Sequence, residues 1–253
     1  MCIRRSNAPL AAVVLIACWA NAVLGQSSVT IPPSSIANPA DAGSTFHTNV
    51  QVRAFPTGRP QPDGGPPMSG YFYEDPASLA CIYGLTRQRP QDGGCNPNNS
   101  SLNNPNGGSK AIAVVDAYDY PTAVADLAAF SAQFDVPAPT SFSVVYAPSG
   151  SGLCTTAVST PPAQDPTGGW EVEEALDIQY AHSMAPHATL YLVEARSNSD
   201  VDLFCAVTIA SNLVAEAGGG EVSMSWGSNE FPAERTADSI FTTPNRTFAV
   251  EDI

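Results

Sequence analysis

The sequence predicts an α/β fold built on a mainly parallel sheet flanked by helices, and three features carry that reading. Short apolar runs recur without polar alternation, as in AIAVVDAY (residues 111–118), SFSVVYA (within 140–147) and ATLYLVEA (188–195). Strands buried on both faces read this way. Between them lie segments of helical period, residues 121–134, 168–187 and 200–216. Strand and helix therefore alternate, the pattern of crossover-connected parallel strands. In such sheets binding and catalytic groups gather at the carboxyl ends of the strands.

In chain order, residues 1–25 read as a secretion signal. Arg4 and Arg5 supply its positive end, residues 10–18 its apolar stretch, and Ala20-Asn21-Ala22 or Val23-Leu24-Gly25 a small-residue cleavage site. The apolar stretch is short for a bilayer span. Cys18 offers a lipoprotein alternative, but the bulky Trp19 beside it favours plain export to the extracellular space. Residues 26–75, rich in Ser, Pro, Gly and Asn, read as an extended, poorly ordered arm. RPQPDGGPP (59–67) within it is turn chemistry.

PASLACIYG (76–84) opens the main domain, and residues 96–109 form an Asn, Pro and Gly loop. Asn98, Asn99 and Asn245 each head an N-x-S/T pattern. The strand 111–118 ends near Asp116, the helix 121–134 follows, and the strand 140–147 leads into the acidic helix. After the strand 188–195 and the helix 200–216, Gly218-Gly219-Gly220 supplies a helix stop. Residues 221–226 read as a strand and 247–250 begin another.

The 253 residues suffice for one large domain or two small ones. Only 13% are charged, yet the formal net charge is −14. So few Lys and Arg exclude a phosphate-reading surface, so no nucleic acid partner is expected. An acidic, charge-sparse surface suits an exported protein at low pH, where protonation relieves self-repulsion. Past residue 25, four cysteines remain, an even number that favours disulfides in an exported chain. Of three possible pairings, Cys81–Cys95 is favoured by proximity and Cys154–Cys205 by elimination. Without a C-x-x-C pair or a nearby His, zinc is the weaker alternative and no metal is expected.

The acidic helix carries the chemistry. In GGWEVEEALDIQYAHSMAPH, Glu173 and Asp177 stand four residues apart, on one helix face and one turn apart. Two carboxyl groups so placed can share or relay a proton. Acids near a helix start also serve simply as caps and dipole partners. Glu171 and Glu174 fall on other faces and read as solvated. His182 and His187 read as structural.

The wording of this stretch, together with ADLAAFSAQF, DLFCAVTIASNLV and GEVSMSWGSNEF, resembles the sedolisins, the serine-carboxyl peptidases. The resemblance covers roughly residues 76–248. It implies a subtilisin-like fold and an endopeptidase in which a Glu replaces histidine as the base. Glu173 then matches that Glu and Asp177 the Asp that orients it. A carboxylate stays ionised in acid, where histidine would be protonated. Asp116 matches a position that can help order the acidic site, although a strand-end Asp also caps turns. Ser225, Trp226 and Gly227 resemble the strand whose open edge pairs with the substrate backbone, against the alternative that Trp226 is core.

The implied substrates are polypeptides and the implied state a monomer, with no membrane partner after signal removal. Neither Ser223 nor Ser225 matches the family nucleophile. Its motif and a calcium site are expected beyond Ile253. Residues 76–253 are thus read as the N-terminal part of the peptidase domain, incomplete at the C-terminus and inactive alone, with no cofactor of its own. The rival reading is a non-catalytic secreted peptide-binding protein. A glycosidase is discounted, since its acids face each other across a cleft about 5–9 Å wide.

Overall fold

The computed structural model describes residues 28–54, 75–85, 107–150, 154–232, 234–241 and 247–250. The signal segment 1–25, residues 55–74 of the arm, Cys95, and Asn98, Asn99 and Asn245 lie outside them.

A short antiparallel ladder, β1 (Ser28–Thr30) on β2 (Val52–Ala54), comes first. Helix α1 (Pro76–Ile82) starts at a capping box. Asp75 Oδ1 accepts from the Ser78 amide at 2.7 Å, and Ser78 Oγ accepts from the Asp75 amide at 3.2 Å. Then β3 (Ala111–Ala117), α2 (Ala123–Gln133), β4 (Phe142–Tyr146), α3 (Gly169–Met184) and β5 (Thr189–Ala195) alternate. Helix α4 (Asp200–Glu216), β6 (Gly220–Met224), α5 (Asp238–Phe241) and β7 (Thr247–Val250) complete the described chain. Strands β3 to β7 form one sheet in the order β4-β5-β3-β6-β7, with every neighbouring pair parallel. The expected α/β class with a parallel sheet is what the chain adopts.

The central strands β3 and β5 are buried on both faces, which is why they read as unbroken apolar runs. Ala113, Val115 and Ala117 of β3 pack with Ala206, Val207 and Ala210 of α4. Ile112 and Val114 point the other way, toward Leu127 of α2 and Ile178 of α3. Each fully buried aliphatic side chain contributes about 1.5–3 kcal/mol. Helices α2 and α3 thus share one face and α4 takes the other.

The strand order gives this sharing a consequence. The crossover from β3 to β4 runs one way along the sheet, whereas those from β4 to β5 and from β5 to β6 run back. Two crossovers in opposite directions on one face have opposite hands. The α3 crossover therefore differs in hand from those of α2 and α4. About 98% of such connections share the right hand, so α3, the acidic helix, is the exception.

Two strands end earlier than expected. β3 stops at Ala117 because Tyr118 takes the left-handed conformation, with φ 79°. Its amide donates to Ala195 O at 3.0 Å and its hydroxyl to Asn198 Oδ1 at 2.9 Å. β6 stops at Met224, not residue 226, since Trp226 turns inward and its indole N–H donates to Val115 O at 2.8 Å. The three glycines end α4 as expected. Gly218 is left-handed at φ 87°, just past the final turn.

Residues 28–54, expected as poorly ordered, are tied down by polar contacts. Thr48 is fully buried, and its hydroxyl meets Ser35 Oγ at 2.7 Å and Ser34 Oγ at 3.2 Å. Ser34 lies so close to Gly169 that a Cβ there would overlap its hydroxyl, which fastens the arm to the start of α3.

A disulfide joins Cys154 to Cys205 across 51 residues, with Cα atoms 5.0 Å apart. It ties the segment after β4 to α4, as elimination suggested. Cys81 is also disulfide-bonded. Among the described residues no helix is long and apolar enough to cross a membrane.

Two stability predictions follow from this frame. Gly220 has φ 149°, and a Cβ there would lie 1.9 Å from Ala111 O. Gly220→Ala should cost at least about 1–3 kcal/mol, read as a lower urea midpoint; an unchanged midpoint would refute the close approach of β6 to β3. The Cys154→Ser/Cys205→Ser variant should lose about 2–4 kcal/mol by the same measurement.

Candidate functional site

The carboxyl tips of β3 and β5 each end in an acid. Asp116 and Glu194 are register partners on these adjacent parallel strands. Both lie on the sheet face that Val114 and Leu192 present to α2 and α3. Both are fully buried. Neither oxygen of Asp116 has a hydrogen-bond partner, and Glu194 Oε1 accepts from the Tyr120 amide at 3.2 Å.

Helix α3 brings three more acids against this pair. Its start is fixed by Asp165, whose Oδ2 accepts from the Gly169 and Trp170 amides at 2.9 and 3.1 Å. An acid there satisfies orphan donors and favours the positive helix end. Trp170, fully buried in the core, seats the first turn. Glu173 is then buried and Asp177 half-buried, one turn further on. Asp177 Oδ1 accepts from Ser225 Oγ at 2.9 Å, so the helix is joined to the segment leaving β6.

Electrostatics confirm the grouping. Burial pushes the Asp116 carboxyl well above its ordinary range, and the neighbouring Asp177, Glu173 and Glu194 carboxylates push it further. Burial likewise raises Glu194 to about 8, with Asp119 adding to the rise and the Tyr120 amide opposing it. The site thus unites Asp116, Glu173 and Asp177, the three acids singled out from sequence.

Glu174 corrects the sequence reading. It is not solvated but fully buried, with no hydrogen-bond partner for either oxygen. Burial, then Asp116 and Glu194, raise its carboxyl well above the usual range. It shares a buried stripe with Ile178 and His182 at four-residue spacing. Glu171 is half-buried rather than fully solvated. His182 Nε2 meets Pro137 O at 2.8 Å, away from the acids, as a structural residue would.

Glu194 escaped the sequence reading although a signal existed. VVDA and LVEA each close an apolar run with an acid and an alanine, and in parallel register the two acids fall side by side. Several carboxyl groups in so dry a space cannot all ionise. Burial and mutual repulsion therefore favour the protonated forms of Asp116, Glu174 and Glu194. Among the described residues no three His, Cys, Asp or Glu side chains converge to hold a metal ion.

Ser225, Trp226 and Gly227 are placed otherwise than an open edge requires. Ser225 is buried and faces the acids. Trp226 is buried on the opposite side, its ring 4.7 Å from that of Phe46. Gly227 already has a strand partner: its amide donates to His47 O at 3.0 Å, and the His47 amide donates to Gly227 O at 2.9 Å. The edge is filled because the main-chain N–H and C=O of His47 meet those of Gly227. A cavity of about 620 Å³ lies beside it, lined by Phe46, Phe204, Met224, Trp226 and Phe231 among others.

No protein-family model matches the chain, and no curated protein matches it.

The buried acids set a pH dependence of stability. Asp116, Glu174 and Glu194 all bind protons more tightly in the folded state, Glu194 at about 8 against an ordinary 4.5. The folded protein therefore holds more protons than the unfolded chain as pH climbs from 4.5 to about 8. Stability is fully present below that window and falls through it. The urea midpoint should drop between pH 4.5 and 8, and Glu194→Gln should flatten the drop. A midpoint that rises with pH would contradict the burial of these groups in protonated form.

Proposed function

We propose that this chain carries the acid–base part of a secreted, acid-acting serine-type endopeptidase of sedolisin type on a subtilisin-like fold. Glu173 is the base that takes a proton from the attacking hydroxyl. Asp177 is its orienting partner, steadied by the Ser225 hydroxyl, and Asp116 supports both from the strand tip. One observation carries this reading: residues 111–117, 169–184 and 220–227 bring Asp116, Glu173 and Asp177 together at the carboxyl edge of a parallel sheet, beside a stretch that pairs main chain to main chain.

The division of labour follows from burial. A base surrounded by protonated acids remains usable in acid, where imidazole would already be charged. Peptide substrates lie as extended strands along Gly227 once His47 has left it, and Trp226 supports that stretch from beneath through its bond to Val115 O. The hydroxyl that attacks the peptide carbonyl comes from neither Ser223 nor Ser225. Ser225 is buried and engaged with Asp177.

The Gly227–His47 pairing favours a second reading, a secreted protein that captures extended peptides without cutting them.

Hydrolysis of a denatured polypeptide between pH 3 and 7, by the protein in the form its source exports, separates the two. An acid optimum is expected, with Glu173→Gln reducing the rate by about 100-fold or more. Hydrolysis indifferent to Glu173→Gln would overturn the role of that residue. Peptide retention without hydrolysis would give the second reading precedence.

A further inference from the structure

Past the turn at residues 42–44, residues 45–47 run between two other pieces of chain and bridge to both. On one side the Phe46 amide donates to Asn198 O at 2.8 Å, Asn198 Nδ2 donates to Phe46 O at 2.7 Å, and the Asp200 amide donates to Ser44 O at 3.1 Å. Thr45 and Ser199 form an antiparallel bridge there. On the other side His47 exchanges both main-chain bonds with Gly227, again antiparallel. Main-chain groups of successive residues in a strand point to alternate sides. Phe46 therefore serves one wall and His47 the other, as a middle strand does in a three-stranded sheet.

We infer that this strand is a tethered occupant of a peptide groove, and that the groove selects an aromatic side chain at the place Phe46 fills. The inference deepens the peptide-handling reading above and rests on it. Almost every bond to the walls is made by main chain, so the groove accepts extended segments of many sequences. Selection falls to Phe46, the side chain that packs against aromatic rings of the walls. The Phe46 ring stands edge-on to Trp226 at 4.7 Å and 69°, and to Phe204 at 5.6 Å and 70°. Phe204 is braced in turn by Phe241 at 5.9 Å and 84°. These spacings and tilts are the favourable ones for aromatic pairs.

The cavity beside Trp226 is lined by Phe46 and Phe204 as well. A tethered strand faces its groove at millimolar effective concentration. An outside peptide must displace it, so the arm sets the threshold above which the groove accepts a guest.

The test uses the whole described protein and a fluorescein-labelled peptide AGSTFHTNV, residues 42–50. The Phe46→Ala/His47→Pro variant removes the boxed ring and the amide that bonds Gly227. It should bind the peptide about tenfold or more tighter than the wild type, as read by anisotropy. Phe46→Leu, which keeps apolar bulk at that position, should give a smaller gain with an unchanged urea midpoint. Replacing Phe by Ala in the peptide should weaken its binding about tenfold or more. In the wild type the Gly227 amide should exchange slowly with solvent, and in the double variant quickly.

Equal peptide binding by all three proteins, or a Gly227 amide equally protected in the double variant, would refute the tethered occupant. Equal binding of the Phe and Ala peptides would refute the aromatic selection. Repeating the binding with Glu173→Gln keeps this result apart from the acid chemistry, because binding should survive that change even if hydrolysis was never present.

Discussion

A carboxyl group taken out of water must keep its proton or find compensating donors and charges. The tip of this sheet takes Asp116, Glu174 and Glu194 out of water together, and it offers very few donors. The surrounding structure answers that constraint. The Tyr120 amide serves Glu194, and the Ser225 hydroxyl serves Asp177 from a different strand. Protonation does the rest. The sheet tip therefore gathers several acids in one dry space, where burial favours their protonated forms.

Placing the acids there takes an unusual connection. Helix α3 lies on the same face as α2, which makes its crossover opposite in hand to its neighbours. The ordinary hand would have put α3 on the α4 side, behind Trp226, with its carboxyl groups facing away from Asp116. The departure from the common rule coincides with the helix that brings Glu173, Glu174 and Asp177 to the buried acids. Tyr118, left-handed beside the same strand tip, is a second local exception, of a kind that costs about 1–3 kcal/mol. Such exceptions gather where geometry serves something other than stability.

Much of this was legible in the residues. The unbroken apolar runs gave the buried parallel strands, and the four-residue spacing gave the shared face of Glu173 and Asp177. The burial of Glu174 was not legible, because an acid on a packed stripe looks in sequence like an acid on a wet one. Only its neighbours Ile178 and His182, at the same spacing, hint that the stripe faces inward. The docking of residues 28–54 escaped for a different reason. Hydroxyls of Ser34, Ser35 and Thr48 and main-chain pairing hold it, and neither leaves a hydrophobic period. Trp226 was weighed between core and substrate contact. Its ring is buried within the core.

The place of β5 in the sheet bears on how the chain assembles. β3 and β4 are consecutive in the sequence but never touch as strands, because β5 lies between them. Among the described strands β4 pairs only with β5, so a polypeptide emerging from its N-terminal end has no strand partner for β4 until Ala195 has appeared. Until then α2 and α3 have only a split surface to cover. Nucleation is thus delayed to a late, long-range event, the kind that slows folding and keeps a nascent chain loose while it threads a narrow passage.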